Sequence, residues 1–353
     1  MQMQMQTTAS ARQSLVLLHP DGVEPVGTSK WLNHRQVQRH HHLRWKEESG
    51  SSLSSGTRAA FERLARVYTG RAVGLVFGSG AARGMAHLGV VRAIEELGLE
   101  IDMVGGTSFG GLIAGLYAIG LDYEAMYNVA KEFINPKQMF DYTLPMTSFL
   151  GGRHFTNIVM KLFADIQIED TWLDFFCVSS NLTRATEMVH RRGPLWKYVR
   201  ATCSLPIFFP PVVDNGDLLI DGGLVNFLPL DVMSRLCAGG PVIGIDVALE
   251  ADLTADYQFS PSLSGWRVLW SRINPFQAEI NVPNPFNVLM RVIEFNRIRR
   301  NSMERGYADL YIRPPIEQFD TLEFAAYEEM IEIGYHTALP QLKAWMTKRG
   351  LNG

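Results

Sequence analysis

An α/β fold built on a mostly parallel central sheet with flanking helices is what this 353-residue sequence predicts, and three observations carry the prediction. Short apolar runs suited to buried strands, Val73-Gly-Leu-Val-Phe77, Ile101-Asp-Met-Val104 and Leu218-Leu-Ile220, are separated by segments with helical periodicity. Glycine-rich turns stand where those runs hand over to the segments that follow, the places where backbones approach closely and turn sharply. No stretch between residues 71 and 250 has the composition of a linker, and a chain that is 46% hydrophobic and 20% charged can bury one large core.

Taken in order, residues 1–14 are expected to form a disordered tail, since Met1 to Ser10 is polar and no charged segment with an apolar signal core opens the chain. Residues 15–70 form a lead-in, residues 71–250 the core, and residues 251–353 a C-terminal extension that packs on the core and offers a lipid-facing cover. The first core strand, Val73 to Phe77, runs into Gly78-Ser-Gly-Ala-Ala-Arg-Gly84 and then an amphipathic helix from Met85 to Leu97. The free amides and dipole of that helix start favour an anion. A dinucleotide loop is the competing reading, but Arg83 falls where the third glycine of G-x-G-x-x-G belongs and no G-K-[ST] follows. An oxyanion hole made by the backbone of Gly80, Ala81, Ala82, Arg83 and Gly84 suits the segment better.

The second strand, Ile101 to Val104, leads into Gly106-Thr-Ser-Phe-Gly110 and an apolar helix, Leu112 to Ile119, that ends at Gly120. Ser108 then sits on a strand-to-helix elbow, with Gly106 and Gly110 clearing space around it. The alternative is a packing turn with an incidental serine. Residues 103–121 are uncharged for 19 positions, long enough to resemble a membrane span, yet they hold six glycines and the elbow, so a buried strand, elbow and helix is expected. The third strand, Leu218 to Ile220, ends at Asp221-Gly-Gly223. An ordinary Asp-Gly turn is the plain reading of that dipeptide; the context Asp221-Gly-Gly-Leu-Val-Asn-Phe-Leu-Pro229 favours an accessible carboxylate backed by Gly222 and Gly223.

Ser108, Asp221 and the loop before them are the parts of a serine acyl hydrolase. The rival is a Ser-Asp-His triad, for which His336 is the only histidine after Asp221; it falls in a helical pattern from Glu323 to His336. No metal site is expected. His40, His41 and His42 alternate in direction on a strand and are read as a solvated segment, and His87 is read as packing one turn into its helix. Cys177, Cys203 and Cys237 have neither disulfide parity nor metal spacing, and Cys177 lies in the strand-like run Phe175 to Val178, where a buried structural thiol fits. Such cysteine usage suits a reducing, cytoplasmic compartment, with a peripheral contact to membranes as a further expectation. A net charge of −3 gives no reason to expect nucleic acid.

The set G-x-x-x-x-R-G, G-T-S-x-G and D-G-G resembles the patatin-like phospholipases. Val189-His-Arg-Arg-Gly-Pro-Leu-Trp-Lys-Tyr-Val-Arg-Ala201, Leu263-Ser-Gly-Trp266 with Leu269-Trp270 and Asn274-Pro275, and Tyr311-Ile-Arg-Pro-Pro-Ile316 look like the catalytic module of the neuropathy target esterase group. Leu15-Val-Leu-Leu-His-Pro20 and Trp31-Leu-Asn33 resemble the segment before that module, so the resemblance runs from about residue 15 to about residue 336. It implies a three-layer patatin-like fold and a Ser108–Asp221 dyad without histidine. It also implies lysophospholipid or carboxylic ester substrates and no cofactor. The family carries glycine where this chain has Ser79 and Ala81. If position 81 requires φ > 0, alanine there is strained, and a catalytically impaired lipid-binding relative is the alternative function. Two segments suit lipid: the stripe Leu263, Trp266, Trp270 and Ile273, for which core packing is the default, and the arginine-rich stretch Val288 to Arg305, for which a solvated face is the default.

Overall fold

The computed structural model describes residues 13–34, 37–46, 54–133, 140–248, 261–274, 280–282, 288, 305–320 and 322–351. The polar opening stretch and nearly all of the arginine-rich segment 288–305 lie outside the described residues.

Residues 14–45 carry a two-stranded sheet separate from the main one, and a helix follows it. Strand β1 (Ser14–Pro20), helix α1 (Thr28–Leu32), strand β2 (Arg39–Trp45) and helix α2 (Ser55–Tyr68) follow one another, and β1 pairs β2 in parallel from Ser14 opposite Arg39 to Pro20 opposite Trp45. Helix α2 starts where the Ser54 hydroxyl accepts the Thr57 amide at 3.2 Å. The histidine run is strand, as its alternation requires, but it is not solvated. His41 and His42 are buried. His42 bonds His19 at 2.8 Å and the Glu169 carbonyl at 2.8 Å, and His40 reaches that same carbonyl at 3.0 Å. The expectation of a solvated segment failed because docking against residues 169–170, far away in sequence, covers the strand. His40 and His42 bond the backbone and His42 also bonds His19, and no metal-holding cluster occurs among the described residues.

The main sheet has eight strands, in the order β10-β9-β3-β4-β5-β8-β7 with β6 also paired to β5. Strands β3 (Gly74–Phe77), β4 (Met103–Thr107), β5 (Asp174–Asn181), β9 (Val242–Ile245) and β10 (Leu310–Ile312) run parallel to one another. Strands β6 (Thr186–His190), β7 (Val212–Asp214) and β8 (Asp217–Asp221) join antiparallel. Every residue of β3, β4 and β9 is buried, which is why they read as continuous apolar or glycine runs: both faces are covered. On one face Leu75, Phe77, Val104, Cys177 and Ile243 pack under helices α3 (Ala86–Glu96), α4 (Phe109–Ala118), α6 (Arg153–Phe163) and α7 (Leu195–Thr202). Helix α5 (Tyr123–Ala130) lies between α4 and α6 in the chain. On the other face Val76, Met103, Phe176 and Val242 pack under α8 (Leu230–Cys237) and the end of α2. Three layers result.

Among the described residues beyond 250, a strand and a long helix pack into this body, with Ile316, Phe319 and Phe324 buried between them in sequence. Strand β10 extends the sheet beside β9, and the long helix α10 (Tyr327–Arg349) lies against α3. The two helices cross in near backbone contact, because a Cβ on Gly89 would stand 1.9 Å from the Ile331 carbonyl oxygen and one on Gly334 would stand 2.1 Å from that of Ala86. Helix α9 (Gly265–Ile273) differs from its default reading: Trp266, Trp270 and Ile273 are 82%, 61% and 65% exposed, so the apolar stripe faces outward instead of joining the core. No helix among the described residues is long and apolar enough to cross a membrane. Residues 103–121 form β4, a one-residue elbow and α4, all buried up to Leu116.

Candidate active site

Three loops at one end of the sheet bring the sequence-selected residues together. The first leaves β3. Gly78 and Ser79 anchor it by donating their amides to Ile245 and Phe227 at 2.9 and 3.0 Å, and the chain then enters a short 3-10 turn over Ala81–Met85 that feeds α3. His87, fully buried, packs on Phe77 and bonds the Gly78 carbonyl at 2.8 Å, so its packing role includes bracing this loop from below. Ala81 has φ 47°, the left-handed region that favours glycine. The condition attached to this position is therefore met: the backbone takes the turn a glycine would take, and the side chain bears the strain. The Arg83 amide is already committed to the Gly80 carbonyl at 3.1 Å, and Ala82 and Gly84 are buried behind the loop, outside the cavity wall. Of the five residues expected to cradle an anion, Gly80 and Ala81 are the ones that line the cavity without a backbone bond of that kind at their amides.

The second loop is the elbow. Ser108, between β4 and α4, has φ 56° and ψ −129°, a strained conformation for a residue with a side chain and one that costs about 1–3 kcal/mol. Its neighbours explain how the chain fits there. A Cβ at Gly110 would lie 2.4 Å from the Phe77 carbonyl oxygen and 2.5 Å from that of Gly78, so α4 starts directly against the first loop. A Cβ at Gly106 would lie 2.6 Å from Gly110 itself. The elbow's own amide donates to the Thr202 hydroxyl at 2.8 Å.

The third loop ends β8. Asp221 is buried, and both of its carboxylate oxygens are engaged: Oδ2 accepts the Ser108 hydroxyl at 2.6 Å and Oδ1 accepts the Gly223 amide at 2.7 Å. Gly222 passes so close to β5 that a Cβ would stand 2.1 Å from the Val178 carbonyl oxygen. Burial pushes the Asp221 carboxyl up to about 6, against the pull of the two hydrogen bonds it accepts. A carboxylate in that range can take a proton from a hydroxyl and give it back near neutral pH, which a solvated aspartate cannot.

Ser108 and Asp221 open into a narrow cavity with aromatic walls, among them Phe109, Phe133, Phe155, Phe208, Phe209 and Phe324. Such walls exclude water and fit an alkyl chain. A wider cleft of about 410 Å³ lies between α2 and the end of α4, lined by Arg44, Arg63 and Trp172, and it holds no serine or cysteine. His336 takes no part in the cavity: it stands exposed on α10 and pairs with Glu332 at 3.6 Å. A triad through His336 is therefore excluded. Sequence reasoning missed Thr202 and most of the aromatic lining. The run Leu205-Pro-Ile-Phe-Phe209, directly after α7, was the available signal for the walls.

Comparison with known proteins bears on the same segments. Residues 75–234 match the patatin-like phospholipase family, and residues 1–70 match the P-loop like domain of the neuropathy target esterase family. The chain is 34% identical over 401 residues to lysophospholipase NTE1 of Kluyveromyces lactis, covering 94% of this chain and 28% of that protein. It is 36% identical over 372 residues to the human patatin-like phospholipase domain-containing protein 6, covering 98% of this chain and 27% of that protein. The chain thus spans little more than a quarter of the length of these relatives. Among solved structures, VipD from Legionella pneumophila aligns with a TM-score of 0.45 at 13% identity, covering 78% of this chain and 67% of that one.

Proposed function

The chain belongs to the patatin-like phospholipase family, in its neuropathy target esterase branch, and from that membership we propose that it is a serine lipid acyl hydrolase acting on lysophospholipids and simple carboxylic esters. The observation that carries the proposal is the 2.6 Å contact between the Ser108 hydroxyl and the buried Asp221 carboxylate, at the base of an aromatic cavity. The ester's alkyl chain lies among the phenylalanines. Ser108 attacks the carbonyl carbon as Asp221 takes the hydroxyl proton, and the tetrahedral oxyanion rests on the Gly80 and Ala81 amides. Collapse of the intermediate expels the alcohol, which receives its proton from Asp221. Water then repeats the sequence on the acyl-enzyme, again with Asp221 as base.

The left-handed backbone of Ala81 argues against an impaired lipid-binding relative, because the loop takes the turn without glycine. Replacing Ala81 with Gly is accordingly expected to raise stability by about 0.5–1 kcal/mol in thermal unfolding, the relieved strain exceeding the added chain entropy. It is expected to leave kcat for a short-chain ester nearly unchanged. A tenfold or larger rise in kcat for Ala81→Gly or the Ser79→Gly/Ala81→Gly pair, about the worth of one recovered oxyanion donor, would instead mark the loop as the limiting part.

The pH profile tests the proposal itself. Asp221 works as a base only when ionised, so kcat/KM for lysophosphatidylcholine is expected to rise with pH through an apparent pKa of about 6 and level off above it. A wild-type protein that shows no hydrolysis across that range contradicts the proposed activity.

A further inference from the structure

We infer that the Thr202 hydroxyl is a positioning group for the nucleophile, one that holds the Ser108 elbow in its reactive conformation; the inference rests on the role of Ser108 proposed above. Thr202 is the last residue of α7 and is fully buried. Its hydroxyl is used in both directions: it accepts the Ser108 amide at 2.8 Å and donates to the Val178 carbonyl on β5. A threonine hydroxyl has one proton to give, so this pair of bonds fixes its orientation. Val178 stands beside Thr107 in the β4–β5 register, and the same Val178 carbonyl lies against Gly222 of the third loop. One hydroxyl therefore ties the elbow to the strand against which the base-bearing loop is packed.

Two residues further on, the same helix end holds the other partner. The Ser204 carbonyl accepts the Asp221 amide at 2.9 Å. The Ser204 hydroxyl is in turn fixed by the buried Arg200, whose guanidinium donates to it at 2.6 Å and to the Thr156 hydroxyl at 3.0 Å. Residues 200–204 thus bracket the backbones of both Ser108 and Asp221, and the 2.6 Å contact between their side chains depends on that bracket.

Two consequences follow for the chemistry. Because the Ser108 amide points at Thr202, it is not available to the oxyanion, and charge stabilisation falls to the first loop. Because Thr202 does not line the cavity, its loss acts on the orientation of Ser108 and not on substrate contact. Without the hydroxyl, the Ser108 amide is left without its partner in a buried site, and an elbow strained at φ 56° has less to hold it there.

Thr202→Ala and Thr202→Ser differ by one oxygen and test the inference together. With a short-chain ester as substrate, Thr202→Ala is expected to lower kcat by about 10²-fold, the usual effect of misplacing a reacting group by about an ångström, with KM little changed. Thr202→Ser is expected to restore kcat to near the wild-type value. Hydrogen exchange in a peptide spanning residues 106–112 should quicken in the alanine variant and not in the serine variant. Equal kcat and equal exchange in the two variants would overturn the inference, even if both melt earlier than wild type. Should Thr202→Ala not accumulate in folded form, Thr202→Val keeps the volume and takes its place in the same comparison. If the wild type hydrolyses no ester, the proposed function fails, while the exchange comparison still decides whether the hydroxyl holds the elbow.

Discussion

Replacing Asp221 with Asn is expected to lower kcat for ester hydrolysis by about 10⁴-fold without unfolding the protein. The substitution keeps the shape of the side chain. Its amide oxygen can still accept the Gly223 N–H, which leaves the NH₂ group facing the Ser108 hydroxyl. The hydroxyl then has a donor where it needs an acceptor, and no group is in place to take its proton. The stability consequence has the opposite sign. Burial raises the Asp221 carboxyl in the folded state to about 6, above its ordinary value of 3.8, so the folded protein binds more protons than the unfolded chain between those values. Folding stability therefore falls as pH rises from 3.8 towards 6, and above that range the native state carries the full cost of a buried charge. Asparagine removes that cost. The variant should melt at the same temperature as wild type or higher at pH 7.5, and the difference should disappear near pH 4. Retention of most of the turnover by a folded Asp221→Asn protein would remove the dyad. A large fall in its melting temperature would mean that the carboxylate holds the fold together as well as serving as base.

The parts of the site that the sequence makes legible are those whose geometry is local. Gly106 and Gly110 flank Ser108 within five residues, and the close approaches they permit are to each other and to the strand beside them. Asp221 is legible because an apolar strand, a carboxylate and two glycines occur in succession. The loop from Gly78 to Gly84 is legible as an anion cradle, but its division into amides facing the cavity and amides already bonded depends on the 3-10 turn that follows it. Thr202 is invisible for a different reason. Its role depends on a helix end meeting an elbow 94 residues away, and nothing in the local pattern separates it from an ordinary buried threonine.

The two readings that changed share a cause of the same kind. His42 looks like a surface histidine until residues 169–170 cover it, and the burial of Asp170, which accepts the Thr28 amide at 2.9 Å, completes that docking. The stripe of Trp266, Trp270 and Ile273 has the spacing of a core-facing helix, yet the core is already filled on both faces of the sheet by α3, α4, α7 and α8, and the stripe remains exposed. Periodicity reports that one side of a helix is apolar. It does not report what covers that side. The fold class was legible because strand burial on two faces leaves a strong mark: β3, β4 and β9 consist of apolar and glycine residues with one threonine, and the helices between them are amphipathic or fully apolar.

Covalent labelling tests the central claim most directly. A fluorophosphonate reacts with a serine whose proton is being drawn off by a base and whose adduct oxygen is held by an oxyanion cradle. The intact wild-type protein should gain one adduct, and peptide mass spectrometry should place it on Ser108. Ser108→Ala should take up none and should lose ester hydrolysis with it, while Asp221→Asn should label at least about 10³-fold more slowly than wild type, since the loss of the base acts on this step as it does on acylation. The label on Ser108, its loss in Ser108→Ala and its slowing in Asp221→Asn are the predicted result. An adduct on a different residue, or labelling that persists in Ser108→Ala, would contradict the account.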